Sequence, residues 1–544
     1  MDYLLIDNIS RKYYSNSCQH KIQYGTAGFR TRAEHLNYVL YRMGILATIR
    51  SKFCAAAIGL MITASHNEES DNGVKLVDPS GEMLEAAWEN IANNLVSASD
   101  DELIHVLRET INHYNIKEDA EATVIVGRDT RKSGSMLLEA AIKGIENSKG
   151  NVRDFGIITT PQLHYLVVCI NTNHQYGDPT IEGYISKLSN AFLGNRNAQE
   201  KKQYQSQLYL DAANGVGAIA ARKFTEKLEN SINIDIFNDG SGVLNSKCGA
   251  DYVKIYQTLP LNSPTEPYFK CISIDGDADR IIYYYSDQFQ KVHLLDGDKI
   301  AALIITYFKE LLPLTGLSIQ LGLVQTAYAN GASTNYVSEI LKVPISFTST
   351  GVKYLHHEAQ KFDVGVYFEA NGHGTVVFKE EIVNMVHAAI KDETITEKKR
   401  KATIKFSRII DMINQSVGDA LSDMLLVETI LYEKDWNVEM FDRIYTDLPN
   451  KQLKVKVKDR SIIKTENAER TCLSPIGLQQ KIDSLVSLYS KGRAFIRPSG
   501  TEDIVRVYAE CDDAVAVNKL AAEVALAVHQ LADGIGPAPV IPNN

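Results

Sequence analysis

Cysteine is scarce in this sequence of 544 residues, and the few present do not pair up. Seven are scattered at positions 18, 54, 169, 248, 271, 472 and 511, an odd number with no CxxC spacing. That pattern argues against a disulfide framework or a zinc ribbon and is expected of a chain kept in a reducing compartment. Long hydrophobic runs are also missing. Cys54 to Ile62 is the longest apolar stretch near the front, well short of the roughly 20 residues that a membrane-spanning helix needs. The opening MDYLLIDNISRKYY has no basic segment leading into an apolar run, so no secretory leader is expected. A basic surplus is absent too. The formal net charge is −10, and nothing stands out that would grip a phosphate backbone. The expectation is a cytoplasmic protein with no membrane and no nucleic-acid partner.

The chain is too long for one core. With domains of about 100–200 residues, three or four are expected. Short apolar runs end repeatedly in polar or glycine-rich loops followed by helical patterns: AAAIGLMI before Thr63, ATVIVG before Arg128, LYLDAANGVG before AIAARKFTEKLE, KCISI before Asp275, SIQLGLV before Gln325 and DVGVYFE before Ala370. Continuous apolar strands alternating with helices imply an α/β chain whose mixed or parallel sheets are covered on both faces. Functional groups then collect on loops at the carboxyl ends of strands. The last stretch differs. RAFIRPSGTEDIVRVYAE reads as strand, loop, strand, and AVAVNKLAAEVALAVHQLA as a helix with a broad apolar face, a small α+β domain. The charged run KDETITEKKRK reads as a solvated helix or linker surface rather than a binding patch. The tail GIGPAPVIPNN is expected to fray.

Ser65 lies in Thr63-Ala64-Ser65-His66-Asn67, directly after a strand, with Asp71-Asn72-Gly73-Val74-Lys75 following. A strand-end serine is a candidate nucleophile, although most loop serines only cap or turn. His66 is either its base or a shaper of the loop, since neighbouring side chains of an extended chain point apart. Asp275, Asp277 and Asp279 alternate in DGDADR between KCISI and Ile281-Ile282-Tyr283-Tyr284-Tyr285. Three carboxylates between buried strands need a compensating charge, and all-oxygen ligation favours magnesium or calcium. An EF-hand is excluded, because loop positions six and twelve hold Arg280 and Ser286.

Two other loops stay open to two readings each, and two glycine-rich stretches do not. Arg497-Pro498-Ser499-Gly500-Thr501-Glu502 offers a guanidinium fork, hydroxyls and backbone N–H groups suited to a phosphate dianion, or it is a tight turn. Glu369-Ala370-Asn371-Gly372-His373-Gly374 suits sugar hydroxyls, with His373 as a proton carrier, or it is a polar hairpin. Gly25-Thr26-Ala27-Gly28-Phe29-Arg30 lacks the spacing of a dinucleotide site. Asn214-Gly215-Val216-Gly217 reads as helix entry and packing.

Together GTAGFR, TASHN, DGDADR, EANGHG and RPSGTED resemble, in order and spacing, the α-D-phosphohexomutase superfamily, over roughly Gly25 to Glu510. The resemblance is closest to its eukaryotic members that act on N-acetylglucosamine phosphate. It rests on TASHNEESDNGVKLVDPSGEMLE, GADYVK, LLDGDK, VQTAYANGAS, TSTGVKYLHHEA and YTDLPNK, and on Asn371 where glucose-type members carry serine. It implies four domains around a central cleft, three with mixed αβ sheets and a C-terminal α+β domain: 1–190 with the phosphoserine loop, 191–296 with the metal loop, 297–435 with the sugar loop and 436–544 with the phosphate loop. It implies that Ser65 carries phosphate and, with Asp275, Asp277 and Asp279, ligates one Mg2+. His66, Lys75, Arg30, Arg280 and His373 would surround the transferring group. Thr350, Gly351, Glu369, Asn371, Gly372, Arg497, Ser499, Gly500, Thr501 and Arg506 would bind substrate.

The implied reaction interconverts N-acetylglucosamine 6-phosphate and 1-phosphate through a sugar bisphosphate, for UDP-N-acetylglucosamine synthesis, in a monomer. The alternatives are a glucose or mannose phosphate mutase, a DxD phosphatase of the haloacid dehalogenase type with Asp275 as nucleophile, and a non-catalytic scaffold. Glu68 departs from the superfamily's usual proline after TASHN, and the stretch from Ala98 to Ala120 matches poorly and reads as a peripheral insertion.

Overall fold

A computed structural model of the chain describes residues 1–16, 22–25, 27–197, 201–228, 231–499 and 502–542. It divides into two compact units, Met1–Asp296 with Lys405–Val438, and Gly297–Ile404 with Glu439–Asn544.

The first unit holds two five-stranded sheets. In one, the strands run in the order Phe29–Arg32, Asp71–Val77, Ile58–Ile62, Thr123–Arg128, Asn151–Ile157. The first two pairings are antiparallel and the last two parallel. In the other, the order Val292–Leu295, Ile281–Ser286, Cys271–Ile274, Gln207–Asp211, Asn233–Phe237 repeats the same sequence of antiparallel and parallel pairings. The central strands Ile58–Ile62 and Cys271–Ile274 are buried along their whole length, as uninterrupted apolar runs require.

The helix Asn37–Cys54 is buried from Tyr38 through Lys52. It crosses the helix Gly134–Asn147 backbone to backbone. A methyl on Gly44 would lie 2.1 Å from the Ala141 carbonyl oxygen, and one on Gly144 2.0 Å from that of Tyr41. The stretch from Ala98 to Ala120 is no mere appendage. Its helix Leu103–His113 puts Leu103, Leu107 and Ile111 into the unit's core.

In the second unit a four-stranded sheet runs Ile345–Thr348, Leu321–Thr326, Val364–Phe368, Gly374–Phe378, with two parallel pairings and a final antiparallel one. A three-stranded antiparallel sheet, Asn450–Lys456, Ile504–Glu510, Arg493–Pro498, is covered by the helix Ala516–Leu531, whose Leu520, Ala521, Val524 and Val528 enter its core. Three mixed sheets and a terminal antiparallel one match the expected fold class. Arg493 ties the last sheet to the loop after Leu321–Thr326. It pairs with Glu510 at 2.7 Å and donates to the Ala327 and Ala329 carbonyls at 2.8 and 2.6 Å.

TASHN, DGDADR, EANGHG and RPSGTED each join two adjacent antiparallel strands. The chain turns straight back after each motif instead of entering a helix. The charged run from Lys391 to Lys401 sits at exposed helix ends, as a solvated surface should.

Candidate active site

Ser65 takes a left-handed backbone conformation, φ 51°, and is fully buried. That conformation is costly for a residue with a Cβ and persists only where surrounding groups over-determine it. They do so here. The Ser65 N–H donates to Thr63 Oγ1 at 2.9 Å, and the Thr63 hydroxyl donates to Asp129 at 2.8 Å. Buried Arg131 pairs with Asp129 and donates to the carbonyls of Ser65 (3.0 Å), Asn67 (2.9 Å) and Asp71 (2.9 Å), and also to that of Glu68. Asn245 donates to the Ser65 and Asn67 carbonyls at 2.8 and 2.9 Å. Arg131 thus braces the loop, including Glu68, where a proline would otherwise stiffen it.

The hydroxyl so presented is 2.5 Å from Asp275 Oδ2 and 3.3 Å from His66 Nδ1. Because the chain at Ser65 is left-handed rather than extended, the two adjacent side chains approach each other. Burial, reinforced by Arg280, pushes the His66 pKa down to about 3, so its ring is neutral near pH 7.

Asp275, Asp277 and Asp279 are all buried, and ligand oxygens from the three lie within 4.8 Å of one another. Asp275 Oδ1 accepts the N–H groups of Asp279 and Arg280 at 3.0 and 3.1 Å. Asp277 Oδ2 accepts the Thr160 hydroxyl at 2.7 Å, while its buried Oδ1 has no hydrogen-bond partner. Burial, with Asp279 and Asp277 alongside, raises the Asp275 pKa well above the carboxylate range. A buried carboxylate oxygen without a donor, in an all-oxygen set, fits a hard divalent cation. Lys75 lies 3.4 Å from Asp277 and 3.3 Å from Asp279. Arg280 pairs with Asp251 at 2.8 Å. The buried Nε of Arg30, on the strand Phe29–Arg32, has no hydrogen-bond partner. The two loops meet at Gly276, where a methyl would lie 2.6 Å from the Ser65 carbonyl.

In the second unit EANGHG is a hairpin loop. The Glu369 N–H donates to the His373 carbonyl, and the Gly372 N–H (φ 86°) to the Glu369 carbonyl, both at 2.9 Å. Asn371 Nδ2 donates to Glu369 Oε2 at 3.1 Å, and Asn371 Oδ1 accepts the His373 N–H at 3.0 Å. Glu369 Oε1 accepts the Gly351 N–H at 3.2 Å. The Thr350 N–H and hydroxyl both donate to Glu469, at 3.0 and 2.6 Å, and Arg497 Nε lies 3.3 Å from the same carboxylate. Across the last sheet, Arg497 pairs with Arg506, and Arg506 with Lys454. Like charges directly opposite one another are unfavourable, so this row of cations suits an anion. The Ser499 N–H is held by the Ile504 carbonyl at 2.8 Å. Gly500 and Thr501 lie outside the described residues.

Ser65, His66, Arg30, Lys75, Arg280 and the three aspartates therefore converge in the first unit, while Thr350, Gly351, Glu369, Asn371, Gly372, His373, Arg497, Ser499 and Arg506 belong to the second. Sequence reasoning passed over Arg131, Thr160, Asn245, Asp251 and Glu469. The polar run GRDTRKSG after an apolar strand was the one visible signal, for Arg131.

Four family models match consecutive stretches. They are described as phosphoglucomutase/phosphomannomutase, alpha/beta/alpha domain I (residues 27–102 and 94–175), phosphoacetylglucosamine mutase AMG1, domain II (179–282), phosphoacetylglucosamine mutase AMG1, domain III (296–436), and phosphoglucomutase/phosphomannomutase, C-terminal domain (449–527). The human phosphoacetylglucosamine mutase is 51% identical over 521 residues, 95% of this chain and 96% of that protein. The structure of Aspergillus fumigatus N-acetylphosphoglucosamine mutase in complex with GlcNAc-6P and magnesium matches with TM-score 0.91 at 44% identity, over 97% of this chain and 99% of that one. A serine-to-alanine variant of the same fungal enzyme, in complex with glucose 1,6-bisphosphate, also matches with TM-score 0.91 at 44% identity, over 98% and 99%.

Proposed function

This chain belongs to the phosphoacetylglucosamine mutases of the α-D-phosphohexomutase superfamily, and we propose that it works as one, interconverting N-acetylglucosamine 6-phosphate and N-acetylglucosamine 1-phosphate through a phosphoserine at Ser65. The observation that carries this reading is the buried Ser65 hydroxyl, 2.5 Å from Asp275 at the edge of a three-aspartate cluster. Asp275, Asp277, Asp279 and the phosphorylated Ser65 would hold one magnesium ion. Magnesium bound there neutralises charge and polarises the transferring phosphoryl group.

The chain's own residues do the rest. Arg131 and Asn245 hold the loop carbonyls so that Ser65 Oγ keeps its place. Lys75 and Arg30 bring positive charge to the equatorial oxygens of the group in flight. The Arg497 loop, with Arg506, takes the phosphate that is not being transferred, and Glu369 and Asn371 contact the sugar. The sugar 1-hydroxyl attacks phosphorus as the Ser65 Oγ–P bond breaks, and its proton ends on the departing Ser65 Oγ, giving a bisphosphate and a free serine. After reorientation the 6-phosphate returns its phosphoryl group to Ser65. Support for the substrate comes from relatives named for it and from the fungal complex with GlcNAc-6P and magnesium.

The reading extends to a division at 1–190, 191–296, 297–435 and 436–544, one motif loop to each. It also extends to a cytoplasmic monomer whose product enters nucleotide-sugar synthesis.

The test is turnover of N-acetylglucosamine 6-phosphate with and without magnesium, beside Ser65→Ala. Isomer is expected only with magnesium and only from the serine enzyme, with phosphate found on the Ser65 peptide. Release of free phosphate, or turnover that survives Ser65→Ala, would replace the mutase reading with a phosphatase one.

A further inference from the structure

Glu469 is the acidic residue that no motif accounts for, yet it touches two groups assigned to substrate. Its carboxylate accepts the Thr350 N–H at 3.0 Å and hydroxyl at 2.6 Å and lies 3.3 Å from Arg497 Nε. The neighbouring Gly351 N–H is engaged by Glu369 at 3.2 Å. Both successive donors of the Thr350 loop are thus satisfied by carboxylates, one of them shared with the arginine that faces Arg506 across the sheet. Oε2 takes both the N–H and the hydroxyl, while Oε1 lies beside the guanidinium as an ion pair. Backbone N–H, hydroxyl and guanidinium together are the groups that a phosphate group seeks.

Glu469 is carried on the tip of the two-stranded hairpin Lys464–Glu466 and Thr471–Ser474. Three successive residues there, Asn467 (φ 51°), Ala468 (φ 56°) and Glu469 (φ 66°), are left-handed, and none is glycine. The adjacent Arg470 guanidinium sits 4.1 Å from the ring centre of Phe347. A tip in an unfavourable backbone region, held down by one carboxylate and one guanidinium, has a conformation that its contacts must sustain.

We propose that this tip is a latch in which the Glu469 carboxylate occupies the Thr350 donors and neutralises Arg497 in the ligand-free enzyme, as an internal surrogate for phosphate. A sugar phosphate displaces it, and the strained tip moves away as the incoming dianion takes over its donors. The proposal rests on the assignment of Arg497 to phosphate binding made above. Its consequence is a lowered apparent affinity for any phosphate ligand, because only unlatched molecules are competent.

The variant that tests it is Glu469→Gln, which keeps the shape and removes the charge. A latch closed in about 70–90% of molecules hides an affinity roughly three- to tenfold higher. KM for N-acetylglucosamine 6-phosphate and the inhibition constant of inorganic phosphate should therefore both fall by about that factor. In the unaltered enzyme, adding inorganic phosphate should speed hydrogen exchange of the amides of residues 464–474. Unchanged or raised KM in Glu469→Gln, or exchange that stays constant or slows with phosphate, would overturn the latch. Arg497→Ala separates the two claims. If it leaves phosphate inhibition intact, the assignment of the Arg497 loop fails. If it abolishes that inhibition while Glu469→Gln changes nothing, the latch alone fails.

Discussion

Ser65 owes its position to groups that hold the backbone of its loop. Arg131 has no exposed side-chain area, and neither does Asp129 beside it. Removing one partner of such a pair leaves a buried charge uncompensated, which costs about 3–5 kcal/mol. Arg131→Met should therefore lose about that much in urea unfolding. Its turnover should drop because the Ser65, Asn67 and Asp71 carbonyls are released. KM for the sugar phosphate should stay unchanged, since the residues proposed to bind the sugar belong to the other unit.

The aspartates give a prediction in pH. The Asp275 pKa is raised, so the metal-free folded protein binds a proton that the unfolded chain has already lost. The stability from that proton is present in acid and declines as pH rises towards the raised value. A cation must displace the same proton. The rise in thermal midpoint on adding magnesium should thus be larger at pH 8 than at pH 6. An equal rise at both would show that Asp275 is already ionised.

At the scale of elements, a strand followed at once by an antiparallel neighbour recurs in each of the four larger sheets, and one such turn in each carries a motif loop. A hairpin loop is anchored on both sides by strands, so its side chains are held more firmly than those on a long connection. In the first unit two such loops touch, and Gly276 is where they do so. Gly276→Ala would bring a methyl 2.6 Å from the Ser65 carbonyl. The expected outcome is a loss of about 1–3 kcal/mol, typical of overpacking, and a fall in turnover out of proportion to it as Ser65 shifts from Asp275. Calorimetry and turnover measured together check this. Full activity would show that the loops can separate without harm.

For the molecule as a whole, the chain enters its units more than once. Lys405–Val438 belongs with Met1–Asp296, although the second unit's Gly297–Ile404 lies between them in sequence. This return matters chemically. Glu428 meets buried Lys270 at 2.5 Å and Tyr204 at 2.8 Å, and the Ala420 N–H donates to the Ala278 carbonyl, in the aspartate loop, at 3.1 Å. A fragment of residues 1–296 would leave Lys270 buried without its carboxylate and the aspartate loop without that donor. It should be aggregation-prone or rapidly cleaved by trypsin, whereas the full chain resists. A soluble, protease-resistant fragment would show that the returning helices are dispensable.

Alternation of apolar runs with polar loops was enough to mark this chain as α/β, because a strand buried on both faces must be apolar along its length. The order and wording of five short motifs carried the superfamily, since phosphoryl transfer needs a nucleophile, oxygen ligands for a cation and an anion cradle, and few residue types supply each. Tertiary structure alone decided the rest. Nothing local in TASHN says that Ser65 is left-handed or that His66 is neutral. The first follows from Arg131 and Asn245, which lie 66 and 180 positions from Ser65, and the second from burial and from Arg280, 214 positions from His66. Glu469 was equally silent, because an acidic residue on a hairpin tip looks like solvent-facing surface until Thr350 and Arg497 are folded against it. Partners distant in sequence leave no periodic trace, and packing is what brings them within hydrogen-bond reach.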